Sequence, residues 1–203
     1  MSVPDQGELF AAPGALPDGM IYQADVITPA EEAKIVEALS GLSFEPFDFH
    51  GHLANRRVVS FGHGYDYTRQ RLRDSPALPA FLAPLRETIA TFAGRPAEAF
   101  EQVLINDYRP GAGIGWHRDK PQFDEVVGVS LLAPCTLRFR KRAGARWERR
   151  QAPLEPRSAY LLAGPARHVW EHSIAPLDAQ RFSITFRTLA DAGSAAASGT
   201  SLR

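Results

Sequence analysis

One cysteine, Cys135, stands in a chain of 203 residues, so no intramolecular disulfide is available and the fold must be held by its core. Its apolar setting between Pro134 and Thr136 marks the thiol as inert and buried rather than as a nucleophile or ligand. Long hydrophobic runs are missing too. No stretch is long and apolar enough to span a bilayer and there is no secretory signal, so the expectation is a cytoplasmic protein without a membrane partner. Charge of one sign is the third absence. Lysine plus arginine number 23 and aspartate plus glutamate also 23, which removes the overall basicity of a strong nucleic-acid binder and confines any such affinity to a local patch. What is present, 44% hydrophobic residues over this length, suits one domain with a full core, expected as a monomer.

Residues 1–20 are rich in proline and glycine and show no period, which predicts a flexible arm; structure is expected from Ile21. Thr28-Pro29-Ala30-Glu31 reads as a helix start with a capping hydroxyl, proline at the first helical position and a reciprocating glutamate, and Gly41 as its stop. A second helix is predicted over 79–92, with Phe81, Leu82, Leu85, Ile89 and Phe92 at helical spacing and Gly94 beyond. From Glu101 the pattern changes to short β runs at 102–108, 114–119, 126–133, 136–142, 147–151, 158–162, 168–174 and 181–188. This predicts an α+β chain with a mainly β core, a jelly roll or two-sheet barrel buttressed by N-terminal helices. The expected organisation is one domain over 21–189, its β core at about 101–189, with a disordered Ala/Gly/Ser-rich tail at 190–203.

Chemistry concentrates in three places. His117 and Asp119 are two residues apart, so on a strand an imidazole and a carboxylate share a face and can grip one metal ion. A third ligand is needed, and the stretch from His168 to Ile174 offers two histidines of the same strand parity, His168 and His172. Two histidines and a carboxylate form the facial triad that holds non-haem Fe(II) with open positions. Second, Arg181 to Arg187 alternates strictly: Phe182, Ile184 and Phe186 on one face, Arg181, Ser183, Thr185 and Arg187 on the other. Two guanidiniums there suit a dicarboxylate, although six residues of strand span about 20 Å, so both reach one ligand only if they fold inward. The plain alternative is an exposed basic edge strand. Third, Asn106 and Tyr108 share a face just before the Pro110-Gly111 loop that leads back to the His117 strand.

Taken in order, Asn106-x-Tyr108, the Pro-Gly loop, His117-x-Asp119, Trp170-x-His172-x-Ile174 and Arg181-x-Ser183-x-Thr185-x-Arg187 resemble the signature of the AlkB family of Fe(II)- and 2-oxoglutarate-dependent dioxygenases. The resemblance covers about residues 76–189. It implies a double-stranded β-helix in which His117, Asp119 and His172 hold Fe(II), Arg181 and Arg187 bind the carboxylates of 2-oxoglutarate, and Asn106 and Tyr108 donate hydrogen bonds to it. Ser183 stands where family members commonly carry asparagine, which leaves its contact with the cofactor open. The implied reaction consumes molecular oxygen and hydroxylates the N-methyl carbon of an alkylated base in DNA or RNA, which then loses formaldehyde. The same chemistry on a protein side chain or small molecule is the alternative, and a non-catalytic metal-binding barrel is a third reading.

Two regions are candidates for substrate recognition. The hairpin from Leu137 to Arg150 is crowded with arginine and contains Trp147; solvated basic edges of this kind block unwanted sheet pairing, but Arg140 with its neighbours also suits phosphates, and Trp147 suits a base. The segment at about 47–67 mixes His50, His52, Arg57, Tyr65 and Tyr67 with glycines, and the resemblance implies a lid over a nucleotide there. Trp116 and Trp170 are expected to pack beneath the metal site.

Overall fold

The computed structural model describes residues 15–49, 52–66, 71–74 and 76–190, with 47–49, 52–55, 64–66 and 71–74 described through their backbone. In chain order the strands are β1 (Met20–Gln23), β2 (Glu45–Phe49), β3 (His52–Phe61), β4 (His63–Asp66), β5 (Arg71–Asp74), β6 (Phe100–Tyr108), β7 (Ile114–His117), β8 (Phe123–Leu131), β9 (Cys135–Ala143), β10 (Arg146–Leu154), β11 (Ala159–Leu162), β12 (Glu171–Ile174) and β13 (Arg181–Leu189). The helices are α1 (Pro29–Ser40), α2 (Ala83–Ala93) and α3 (Gly164–His168). Seven strands form a large antiparallel sheet in the order β1-β11-β8-β13-β6-β3-β2, and four form a smaller one, β10-β9-β12-β7. β4 and β5 pair as a separate hairpin.

Alternation along β13 decides what each face of the large sheet does. Phe182, Ile184 and Phe186 join Ile35 and Leu39 of α1 and Leu85 and Ile89 of α2 in one apolar cluster, so the helices buttress that face. Arg181, Ser183, Thr185 and Arg187 point the other way and are still buried, at 0%, 3%, 6% and 8% exposure. β13 is therefore no basic edge. It lies between β8 and β6, and its polar side chains face a second cluster built from Tyr108, Val126, Leu137, Phe139, Leu154 and Trp170 between the sheets.

Local signals explain the helices. Thr28 Oγ1 accepts from the Glu31 backbone N–H at 3.2 Å while Glu31 accepts from the Thr28 N–H at 2.7 Å, closing the capping box. Gly94 ends α2 with φ 65°, left-handed backbone that glycine adopts without a Cβ penalty. The predicted second helix begins instead as a 3-10 turn, Ala80–Leu82, before α2 takes over.

Four expectations are corrected. The run 168–174 is not one strand: Pro165 at the first turn starts α3, which carries His168, and pairing resumes at Glu171. β7 stops at His117, so Asp119 reaches the site from the following loop rather than from the strand. Strands β2 and β3, unread in the sequence because Pro46 punctuates the first and the pairs Arg56-Arg57 and Val58-Val59 break the alternation of the second, extend the large sheet beyond β6. At the N-terminal side, Met20 is buried and begins β1 in the large sheet, and Arg150 of the smaller sheet donates to the carbonyl of Leu16 at 2.7 Å, both within residues assigned by sequence to the arm. Residues 191–203 lie outside the described residues. Among the described residues no helix is long and apolar enough to cross a membrane.

Candidate active site

His117 and His172 face each other directly across the β7–β12 ladder, with ring centroids 4.3 Å apart. His117 Nδ1 lies 2.9 Å from the carbonyl of Gly115, so that nitrogen carries the proton and Nε2 keeps a free lone pair. His172 Nε2 lies 3.7 Å from Asp119 Oδ2, and its Nδ1 is buried without a partner. Burial pushes His172 down to about 3, helped by the neighbouring His117, and burial likewise lowers His117. Burial works the other way on Asp119 and would raise it, but the Arg187 guanidinium, with His172 and His117, holds it well below the usual carboxylate range. Two neutral imidazoles and one ionised carboxylate are the protonation states a divalent cation requires.

Among the described residues no three His, Cys, Asp or Glu side chains are already clustered tightly enough to hold a metal ion. The reason is local. Asp119 Oδ1 accepts from Arg187 Nη2 at 3.0 Å, so its carboxylate is shared between the arginine and the histidine pair. By donor type, burial and protonation the three side chains fit Fe(II). His168, the other histidine the sequence leaves open, is elsewhere: half exposed at the end of α3, 3.0 Å from Asp124.

The two arginines occupy different surroundings. Arg187 donates to Gln102 at 2.9 Å as well as to Asp119, and its guanidinium lies over the Phe123 ring. Arg181 is fully buried, donates Nε to Ser130 Oγ at 3.0 Å and lies 5.3 Å over the Tyr108 ring. Both of its terminal nitrogens are buried with no partner among the described residues, and so is Asn106 Oδ1. Register places Arg181 opposite Tyr108, and Ser183 between Asn106 and Ser130. An ion buried this way costs several kcal/mol unless an opposite charge is supplied. A carboxylate is the partner this guanidinium fork fits.

Several residues around this interior escaped sequence reasoning. Ser130 interrupts the apolar run Val126–Leu131, and Gln102 has the strand parity of Asn106, so both left a faint signal. Tyr160 left none: its ring lies over Gly128, where a Cβ would come within 2.3 Å of it, and burial raises its hydroxyl. Arg167 is also buried, and its Nη2 donates at 2.6 Å to the carbonyls of both Lys120 and Phe123, clasping the loop that carries Asp119.

The substrate candidates fare differently. Arg57 pairs with the fully buried Asp107, Nε to Oδ2 at 3.0 Å, and packs over Phe44. It is a structural ion pair facing the helices, whereas Arg56, opposite Tyr108 in the register, has the parity of the site. Tyr65 is in β4 opposite Leu72, and Tyr67 and His50 lie outside the described residues. Trp170 packs inside against Phe139, as expected. Trp116 does not: it is on the reverse face of β7, under Arg140 at 4.6 Å. Arg140 and Trp147 are on that reverse face too, in contact with each other at 4.4 Å.

The 2OG-Fe(II) oxygenase superfamily matches residues 19–187. The chain belongs to that superfamily and, within it, to the AlkB family. It is 33% identical to the alpha-ketoglutarate-dependent dioxygenase AlkB of Escherichia coli (strain K12), over 68% of each chain. It is 28% identical to the alkylated DNA repair protein ALKBH8 homolog of Arabidopsis thaliana, over 77% of this chain and 50% of that one. With the tRNA (carboxymethyluridine(34)-5-O)-methyltransferase ALKBH8 of Mus musculus it shares 29% identity over 80% of this chain and 25% of that one. The AlkB-family chain thus spans half or less of the length of these two longer relatives. In fold it resembles the structure of OsALKBH1, with a TM-score of 0.65 at 17% identity, covering 86% of this chain and all of that one. The mainly β, jelly-roll expectation holds. Membership places the chain among the oxygenases that depend on 2-oxoglutarate and Fe(II).

Proposed function

We propose that this AlkB-family chain removes N-linked alkyl groups from nucleobases in DNA or RNA by oxidation, within the interior between its two sheets. The observation that carries the site assignment is the fully buried Arg181, whose two terminal nitrogens have no partner among the described residues, in the same interior as His117, Asp119 and His172. His117, Asp119 and His172 would hold Fe(II). Arg187, bonded to Asp119, would take the 2-oxoglutarate carboxylate beside the metal, and Arg181 the distal one. Asn106 and Tyr108 would orient the cofactor, with Ser183 and Ser130 beside them. Bound Fe(II) and 2-oxoglutarate supply the oxidising power that converts an N-methyl carbon to a hydroxymethyl, with succinate and carbon dioxide as the other products.

The protein's own part is positioning and exclusion. Neutral His117 and His172 present lone pairs, and the low proton affinity of Asp119 keeps its charge available near neutrality. The apolar cluster of Phe139, Trp170 and Val126 keeps the interior water-poor, which strengthens each charge-assisted contact there. The hydroxymethyl amine loses formaldehyde without a nucleophile from the protein, in agreement with Cys135, whose thiol burial raises. For nucleic acid as substrate class the support is the likeness to AlkB and to the ALKBH8 proteins, together with the basic β9–β10 hairpin. The test is formaldehyde release from N-methylated oligonucleotides of DNA and of tRNA sequence, with histone-like methylated peptides as comparison; release from peptides alone would transfer the chemistry to a protein substrate.

A further inference from the structure

The wall that presents His117 and His172 to the interior has a reverse face of a different kind. Side chains alternate along its strands, so Trp116 and Glu171 point outward, joined by Arg138, Arg140 and Arg142 of β9 and by Trp147 and Arg149 opposite them on β10. From Cys135 to Leu154 there are seven arginines and lysines against a single glutamate, in a chain whose formal charge is zero. That glutamate, Glu148, is engaged by Lys141 at 3.1 Å and Arg150 at 2.9 Å. Glu171 binds Arg140 at 2.6 Å. Among the described residues no carboxylate pairs with Arg138, Arg142 or Arg149, and Arg138 Nε is buried without a partner.

The aromatics give this charge a shape. Arg140 lies 4.6 Å over Trp116 and 4.4 Å over Trp147, Arg142 lies 4.1 Å over Trp147, and Arg138 lies 5.4 Å over Trp116. Stacking fixes each guanidinium plane and leaves its N–H edges for an anion, so less side-chain entropy is lost when the anion arrives. Trp147 already carries two guanidiniums, so it orders arginines rather than offering its ring to a base. Neighbouring like charges held this way repel one another, and a polyanion relieves that repulsion. Phosphates repeating along a chain match arginines repeating at every second residue of a strand.

Resting on the nucleic-acid reading above, we infer that this outer face of the smaller sheet binds the phosphodiester backbone of the substrate, away from the pocket and without reading its sequence. The tract beyond the modified nucleotide would be held there while the nucleotide itself enters the interior.

The test uses fluorescence anisotropy of the full chain with a labelled, unmodified oligonucleotide across a salt series. Each lost phosphate contact removes about 0.7 to 0.9 from the slope of log affinity against log salt. The triple variant Arg138→Gln, Arg142→Gln, Arg149→Gln should therefore flatten that slope by about 2 to 3 and weaken low-salt binding by about tenfold or more. Trp147→Leu should weaken binding but keep the slope, because charge stays and order goes. In turnover, the triple variant should raise KM for a long methylated oligonucleotide, leave a methylated trinucleotide unaffected, and leave succinate formed without substrate unchanged. An unchanged slope overturns the inference, as does a loss confined to phosphatidylserine vesicles or to an acidic peptide. Trinucleotide demethylation that persists alongside an unchanged slope sinks this face alone; a flattened slope without any demethylation sinks the proposed reaction alone.

Discussion

Replacing Arg181 by methionine separates a cofactor-binding arginine from a structural one. Its guanidinium is fully buried, and among the described residues it meets Ser130 Oγ and the Tyr108 ring but no partner that balances its charge. Without 2-oxoglutarate this is an uncompensated buried ion, and such ions are commonly replaced by apolar residues at little cost or with a gain. Arg181→Met without cofactor should therefore be at least as stable as the natural chain. With cofactor the order reverses. A ligand at a hundred times its Kd stabilises by about 2.7 kcal/mol. At about 2–4 °C per kcal/mol for a domain of this size, that raises the natural chain's Tm by about 5–11 °C. Arg181→Met should lose most of that rise and need at least about tenfold more 2-oxoglutarate, which is about 1.4 kcal/mol of lost binding. Differential scanning fluorimetry with Mn(II) in place of Fe(II), with and without 2-oxoglutarate, reads both quantities without turnover. A variant that is strongly destabilised without cofactor yet keeps the full shift would show that Arg181 serves the fold and not the ligand.

His172→Ala should abolish metal binding and His168→Ala should retain it, as measured by metal content after dialysis; equal loss in both would break the triad assignment. Arg167→Met should free the Lys120 and Phe123 carbonyls and loosen the Asp119 loop, lowering kcat and metal affinity while 2-oxoglutarate binding through Arg181 is kept; unchanged metal affinity would refute that positioning role. Acid should destabilise the metal-free protein. His172 takes a proton near pH 3 when folded and near 6.5 when unfolded, so between those values the unfolded state binds more protons and stability falls as pH falls. Asp119, lowered by the fold, adds in the same direction below its ordinary range. Urea midpoints from pH 7 to pH 4 should decline more steeply for the natural chain than for His172→Leu.

The strict alternation from Arg181 to Arg187 is legible as a strand because apolar and polar residues at a period of two separate cleanly onto its two faces, although the same period fits an exposed basic edge. The same clarity made Thr28 to Glu31 readable as a capping box. Parity alone does not say which arginine of Arg56-Arg57 faces the interior, since that depends on pairing with β6, a long-range fact; Arg57 turns to Asp107 and Arg56 has the parity of Tyr108. The spacing puts Asp119 on a strand that ends two residues earlier, yet it still meets His172 because the loop is clasped from α3 by Arg167. α3 itself was hidden inside a run whose apolar residues fit a strand, although Gly164-Pro165 carried the signal for a helical start. Burial, which turns Arg181 from a surface charge into a ligand-seeking one, is a property of the assembled sheets and is not written in any local pattern.

Stoichiometry tests the central claim most directly. With Fe(II), 2-oxoglutarate and oxygen, an N-methylated oligonucleotide should yield formaldehyde equal to the succinate formed above the substrate-free level, with formaldehyde absent when any of the three is withheld and lost in Asp119→Ala. Succinate without formaldehyde from any methylated DNA or RNA, in a chain that binds both cofactors, would contradict nucleobase demethylation.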